Sequence, residues 1–313
     1  MGDGLFRFVT GKSTHGEFSP AEMEELLALA RAKGWREALE TYARPRRPRA
    51  IQMVSDPRRF RSIESLRAVG GGRVLDFGCG YGGVSLELAK IFDEVVAVDG
   101  SADRVSFLNI VKRQDCIDNI VPVCHIDPAH LPFPNDHFDA VVLIGVLEYL
   151  PMSFPDDGPA EAHHKCLTEF RRVLRPGGHL LIHTKNRFGW QYWLGGRDHS
   201  GLRFAPILPV PVADALLRTL KGRPYRIINY SYRGYRRLLQ RAGLENVRFQ
   251  WPVPGYQTPD YVLGLEDTSS ELRKIDQGYH SSGKALALRA LSLAGVLKHV
   301  VPHYSITAVK PRY

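Results

Sequence analysis

Cysteine is scarce. Cys79, Cys116, Cys124 and Cys166 are the four in 313 residues, and none forms a Cys-x-x-Cys spacing. That excludes a disulfide framework and a zinc finger, and reads as small buried residues in a reducing compartment. No apolar run is long enough to span a bilayer. The start, Met1 to Arg7, lacks the basic stretch and apolar core of a secretory signal. A cytoplasmic protein is therefore expected. No His, Glu and Asp cluster has metal-ligand spacing, and the adjacent His163 and His164 diverge on a helix, so no metal is expected. Acid is short as well: 33 Asp and Glu stand against 42 Lys and Arg, a net charge of +9. Such an excess suits nucleic acid, an anionic membrane, a phosphorylated substrate or plain solubility, and does not choose among them. Length and apolar content suffice for a full core and a second small unit.

The chain is organised around Val74-Leu75-Asp76-Phe77-Gly78-Cys79-Gly80-Tyr81-Gly82-Gly83. Arg73 to Phe77 reads as a short buried strand and Val84 to Ile91 as a helix with an apolar stripe. The glycines between them carry no Cβ, so a ligand can lie against bare backbone. About twenty residues on, Glu94 to Val98 forms a second strand ending in Asp99, where a carboxylate can take both ribose hydroxyls. Gly78-x-Gly80-x-x-Gly83 also satisfies the dinucleotide pattern, which alone is weak. Asp76 separates the two cofactor classes. Just before the glycines, it repels a pyrophosphate and suits a cationic ligand bearing an ammonium and a sulfonium.

Residues 1–70 read as an arm and a helical cap, and 71–313 as one larger domain. Ser19-Pro20-Ala21-Glu22 is a capping box for a helix to Lys33, stopped by Gly34. Trp35–Tyr42 and Asp56–Val69 are two further expected helices, separated by a basic, proline-punctuated linker from Ala43 to Arg49. From Arg73 onward strands alternate with helices, which argues a parallel, doubly wound α/β sheet. Seven strands are expected: Val74–Phe77, Glu94–Val98, Ile120–His125, Phe138–Ile144, His179–Thr184, Val247–Trp251 and Ser305–Val309. Pro122 places the third at a sheet edge or frays it. Two stretches, about 185–230 and 252–303, are too long for plain loops and read as insertions.

Asp76-x-Gly78-x-Gly80-x-Gly82 resembles the first motif of the class I S-adenosylmethionine-dependent methyltransferases. Three later segments extend the likeness in family order: His125 to Phe133, Phe138 to Leu150, and Arg172 to Ile182. The resemblance implies a Rossmann-like sheet and S-adenosylmethionine as cofactor. By it, Asp76, Gly78, Gly80, Gly82 and Asp99 bind the cofactor and Asp127 accepts from the adenine amine. Pro128 departs from the pattern because it has no N–H, leaving Ala129 as the ring-nitrogen donor. Ile144 and Gly145 face the methionine part, and Tyr149 sits where the methyl emerges. Lys185 to Gly201, Tyr230 to Leu239 and Pro252 to Asp267 resemble a narrower bacterial group, related to enzymes of surface-glycan and sugar pathways.

The resulting expectation is O-methylation of a sugar, glycan or other small molecule. A hydroxyl acceptor benefits from a general base. Asp198 and His199 supply a titratable pair after the fifth strand, and Asn186 an orienting amide. Nucleic acid is not expected as acceptor, because Ile144-Gly145-Val146-Leu147 stands where base-amine methyltransferases carry an Asp/Asn-Pro-Pro-aromatic stretch. Two alternatives stay open: an NAD-dependent oxidoreductase, and a non-catalytic binding protein of the same fold. A last helix is expected over 284–301, basic and apolar, with Leu286, Leu293, Leu297 and Val300 at helical spacing. Its places are a lid, a homodimer contact or an anionic membrane surface.

Overall fold

The computed structural model describes residues 6–7, 18–48, 54–266 and 282–313. Most of the expected arm, the linker's Arg49, and 267–281 of the second insertion lie outside the described residues. Nine strands form one sheet: β1 (Phe6–Arg7), β2 (Arg73–Phe77), β3 (Glu94–Asp99), β4 (Ile120–Cys124), β5 (Phe138–Ile144), β6 (Leu174–Lys185), β7 (Glu245–Val253), β8 (Tyr261–Gly264) and β9 (His303–Val309). Their order is β1-β4-β3-β2-β5-β6-β9-β7-β8. The pairs from β1 to β6 are parallel, and β9 runs antiparallel between β6 and β7. The central strands are apolar on both faces because helices cover both. Leu75, Val98, Val141, Leu143 and Leu180 are fully buried in the main core.

All seven expected strands are present, and two more flank them. The short β1 pairs with Val123 and Cys124. These are the two residues after Pro122, which itself pairs with Ala97 of β3. β8 pairs with β7 through Gln250 to Val253.

The helices that position the site are α1 (Pro20–Lys33), α2 (Gly83–Leu88), α3 (Ala102–Gln114), α4 (Pro159–Val173), α5 (Val210–Lys221), α6 (Tyr232–Arg241) and α7 (Ser282–Leu293). Helix α1 carries the expected capping box: Ser19 Oγ accepts from Glu22 N–H, and the Glu22 carboxylate accepts from Ser19 N–H. Its buried face packs on Tyr81, Phe107 and Val111, so the cap closes over the glycine turn and α3.

Three helix expectations change. Trp35–Tyr42 splits into an α-turn, Trp35–Ala38, and a wider turn, Leu39–Ala43. Asp56–Val69 is two 3₁₀ turns, Pro57–Ser62 and Glu64–Val69. Here Phe60, Ile63, Leu66 and Val69 face inward at a spacing of three, which a three-residue turn keeps on one side. The helix expected over 284–301 is broken at 294–296, with Gly295 at φ +66°. Leu288, Ser292 and Leu297 are buried, while Leu286 and Leu293 are 69% and 75% exposed.

Candidate active site

Strand β2 ends at the turn that opens the site. Gly78, Gly80 and Gly82 all have positive φ (+77°, +57° and +92°), which side chains with a Cβ resist. A Cβ on Gly78 would strike Val146, and one on Gly82 would strike Leu108, whereas one on Gly80 meets nothing. The turn is thus packed at two points and open at the third. Gly78 and Cys79 anchor it by donating to the Val98 carbonyl at 2.7 and 2.9 Å.

Asp99, at the end of β3, is 7% exposed and accepts from Gly80 N–H at 3.0 Å and Ser101 N–H at 2.8 Å. Ser101 caps α3, as expected, so Asp99 does not have to. The carboxylate is held by two backbone donors and keeps acceptor capacity toward the turn. Asp127 sits after β4 and accepts from Ala129 N–H and His130 Nδ1, both at 2.9 Å. Burial raises its carboxyl, but these donors outweigh burial and hold it below the ordinary value. The Ala129 N–H is therefore spent on Asp127, and the structure does not show the expected donor to a ring nitrogen.

Asp76 is 2% exposed and accepts from Ser85 Oγ at 2.6 Å. Burial pushes its carboxyl up to about 6, with Ser85 and the Arg59 charge opposing. Arg59 comes from the first 3₁₀ turn and is 8% exposed, with Nε and Nη1 lacking a hydrogen-bond partner. In the sequence it was one residue of the helix expected over Asp56–Val69. In the fold a buried cation and a buried carboxylate lie together at the end of β2. That arrangement fits a zwitterionic amino-acid head: the carboxylate of such a ligand to Arg59, its ammonium to Asp76.

The other half of the site lies at the ends of β5, β6 and β9. Gly145 N–H donates to His183 O at 2.8 Å, and the Tyr256 hydroxyl lies 3.1 Å from where a Cβ on Gly145 would be. Fully buried Glu148 accepts from Thr184 Oγ1 at 3.2 Å, and Thr184 bonds Tyr235 OH at 3.0 Å. Burial raises the Glu148 carboxyl, and its Oε1 has no partner. His183 is fully buried, and burial lowers it to about 4; His303, at the start of β9, is lowered to about 3 by burial and the Lys185 charge. Both rings are neutral at pH 7. The Tyr256 and Ser62 carbonyls lie beside His183 without a well-formed hydrogen bond.

His199 and Tyr149 are brought together, their ring centroids 5.0 Å apart. His199 Nε2 lies 2.7 Å from Lys185 Nζ at the end of β6. Asp198 and Asn186 are not part of this group. Asp198 turns inward and accepts from Ser200 N–H, Ser200 Oγ and Tyr225 OH. The fully buried Asn186 amide donates to the His299 and Val301 carbonyls, and its oxygen accepts from Phe188 N–H. The expected Asp198–His199 pair is replaced by Lys185–His199, because Asp198 is consumed by the turn it begins. Arg59, His183, Tyr256 and His303 were missed. His183 left one signal, an imidazole directly after the apolar run Leu180-Leu181-Ile182; Tyr256 left none.

The methyltransferase-domain family matches residues 75–182, from the third residue of β2 into β6. That span holds the glycine turn and the ends of the central strands. Residues 75–182 are a methyltransferase domain, and the chain resembles the class I S-adenosylmethionine-dependent methyltransferases. A ubiquinone biosynthesis O-methyltransferase of Alkalilimnicola ehrlichii is 29% identical over 191 residues, 54% of this chain and 71% of that protein. A demethylmenaquinone methyltransferase of Clavibacter sepedonicus is 35% identical over 124 residues, 40% of this chain and 45% of that one. The crystal structure of the cyclase SpnF aligns over 80% of each chain at 21% identity, with a TM-score of 0.46. This methyltransferase takes S-adenosylmethionine as cofactor, and the nicotinamide alternative is set aside by the family match.

Proposed function

We propose that this methyltransferase methylates a hydroxyl group of a small molecule, with the cofactor held at the ends of β2 to β4 and the acceptor at the ends of β5, β6 and β9. In this reading 1–70 is a cap on a catalytic domain of 71–313. S-adenosylmethionine supplies an electrophilic methyl on a sulfonium. Asp99 holds the ribose, Arg59 and Asp76 hold the amino-acid end, and the Gly80 side of the turn leaves room for the chain between them. Ile144 and Gly145 line the same end, and Asp127 faces the adenine.

The observation that carries the acceptor reading is the Lys185–His199 contact beside Tyr149, at the end of β6. The 2.7 Å contact puts one hydrogen between the two nitrogens, so the pair shares a proton. In its basic form it takes the hydroxyl proton as the oxygen attacks. Tyr149, His183 and Tyr256 orient the acceptor and keep water out, which aligns the reacting groups. The relatives' names point to quinone biosynthesis, some as O-methyltransferases and others as C-methyltransferases; the hydroxyl rests on the Lys185–His199 pair, and the likeness of 185–201 to sugar-pathway enzymes keeps a sugar or glycan second.

The test is methyl transfer from labelled cofactor to two acceptor panels, hydroxylated quinone precursors and nucleotide- or lipid-linked sugars. Product from the first panel alone supports a ring hydroxyl. Product from the second alone restores the sugar. Methylation at carbon or nitrogen overturns the hydroxyl assignment.

A further inference from the structure

Between β6 and α6 the chain builds a small unit of its own, with Ala205, Ala213, Leu217, Tyr225 and Ile228 as its core. The His199 of the acceptor end belongs to this unit. Its exposed side chains are unusual in two ways. Helix α5 buries Ala213 and Leu217, yet Val212, Leu216 and Leu220, one turn apart, are 51%, 37% and 61% exposed. Beside the preceding turn, Trp193 is 57% and Leu194 83% exposed, and Phe204, 45% exposed, lies against Gly195. Exposed apolar residues are ordinary singly; a helical stripe of three with a tryptophan and two further large side chains in one unit is not.

The charge of this unit is one-sided. Residues 186–230 carry seven basic side chains and two acidic ones. Of the acids, Asp198 is buried and Asp214 pairs with Arg218 at 2.7 Å. Arg197 and Arg203 face each other across an isolated antiparallel bridge, and both are exposed. Like charges opposite each other in such a bridge repel, and an anion between or beyond them removes the cost.

We propose that this face docks on an anionic lipid surface, with the α5 stripe and Trp193-Leu194 at the acyl boundary and Arg197, Arg203, Lys221 and Arg223 at the headgroups. Apolar residues flanked by Arg and Lys, with tryptophan at the junction, match the two layers of a membrane interface. No helix among the described residues is long and apolar enough to cross a membrane, so the contact is peripheral. The consequence for the acceptor rests on the methyl-transfer reading: because His199 lies in the docked unit, the acceptor is a molecule that partitions into the bilayer or is anchored to it. The helix at 282–293 is not needed for this contact.

The experiment is co-sedimentation of the full chain with phosphatidylcholine vesicles, with and without about one third phosphatidylglycerol, at low and high salt. Binding to the anionic vesicles at low salt is expected to exceed binding to pure phosphatidylcholine by about tenfold or more and to fall with salt. Leu216→Ser with Leu220→Ser is expected to lower it about tenfold or more, with thermal midpoint and cofactor affinity unchanged. Should that pair fail to fold, Trp193→Ser and Arg197→Gln with Arg203→Gln carry the same expectation. Trp193 emission shifts to the blue on binding. Absence of vesicle binding at low salt overturns the proposal, as does equal binding by the folded variants. A wild-type dimer that the leucine variants turn into monomer also overturns it, since a second copy then covers the face. None of these readouts involves methyl transfer. A missing methylated product therefore leaves the docking result standing, and a missing docking result leaves the chemistry standing.

Discussion

The two ends of the site are built by opposite rules. At the cofactor end every carboxylate already has donors: Asp99 has Gly80 and Ser101, Asp127 has Ala129 and His130, and Asp76 has Ser85. These groups are oriented before any ligand arrives. Arg59 is the exception, with two nitrogens unpartnered. At the acceptor end Glu148 Oε1, His183 and His303 Nδ1 are buried without partners. Buried polar atoms without hydrogen bonds cost stability, and proteins keep them where a ligand completes the set. The cofactor end is thus shaped by the chain alone, and the acceptor end is left incomplete.

The largest test falls on the incomplete end. His199→Ala is expected to lower kcat about 10²–10⁴-fold while leaving cofactor affinity and thermal midpoint in place. Asn186→Ala, four residues from Trp190 and equally polar in sequence, is expected to do the reverse: it strips donors from the His299 and Val301 carbonyls, lowering stability by about 1–3 kcal/mol. Full kcat in the histidine variant would remove His199 from the chemistry. At the prepared end, Asp99→Ala is expected to cost about 2–4 kcal/mol of cofactor binding by titration calorimetry. Unchanged affinity would break the ribose assignment.

Arg59 gives a smaller effect. Arg59→Met is expected to weaken cofactor binding about tenfold, because the ligand carboxylate loses its cation, and to push the Asp76 carboxyl further up, because the charge opposing its burial is gone. Unchanged cofactor affinity would mean that Arg59 supports the fold and not the ligand.

The same contrast explains what could be read from the sequence. The cofactor end is made by short-range pattern: a glycine turn, an acid at a strand end, a capping serine two residues on. Each leaves its mark within about twenty residues, and the seven strands are marked by apolar runs. The acceptor end is assembled from distant places in the chain: Ser62, 144–149, 183–199, Tyr256 and His303. Nothing in Pro254-Gly255-Tyr256 says that its hydroxyl reaches Gly145. Asp198 and His199 misled for a related reason. Adjacent residues in a turn point apart, and only the fold shows that Tyr225 and Ser200 claim the aspartate.

The last test uses pH. His183 and His303 are neutral in the folded protein, lowered to about 4 and about 3, and ordinary when unfolded, near 6.5. Between those values the unfolded chain binds more protons, so stability is full above about pH 6.5 and falls as pH drops toward 4, by up to about 1.4 kcal/mol per pH unit for each ring. Asp76 works the other way. Its folded value, about 6, lies above its ordinary value of 3.8, so between them the folded protein binds the extra proton. Its contribution is present at low pH and is lost as pH rises through about 6. Urea unfolding across this range separates the two ends. His183→Gln is expected to flatten the acid loss. Asp76→Asn is expected to steepen it and to raise stability at pH 7, where the native protein otherwise carries a buried charge. If both variants shift the slope in the same direction, the acceptor end is not set apart by neutral buried histidines, and the division between a prepared and an incomplete half fails.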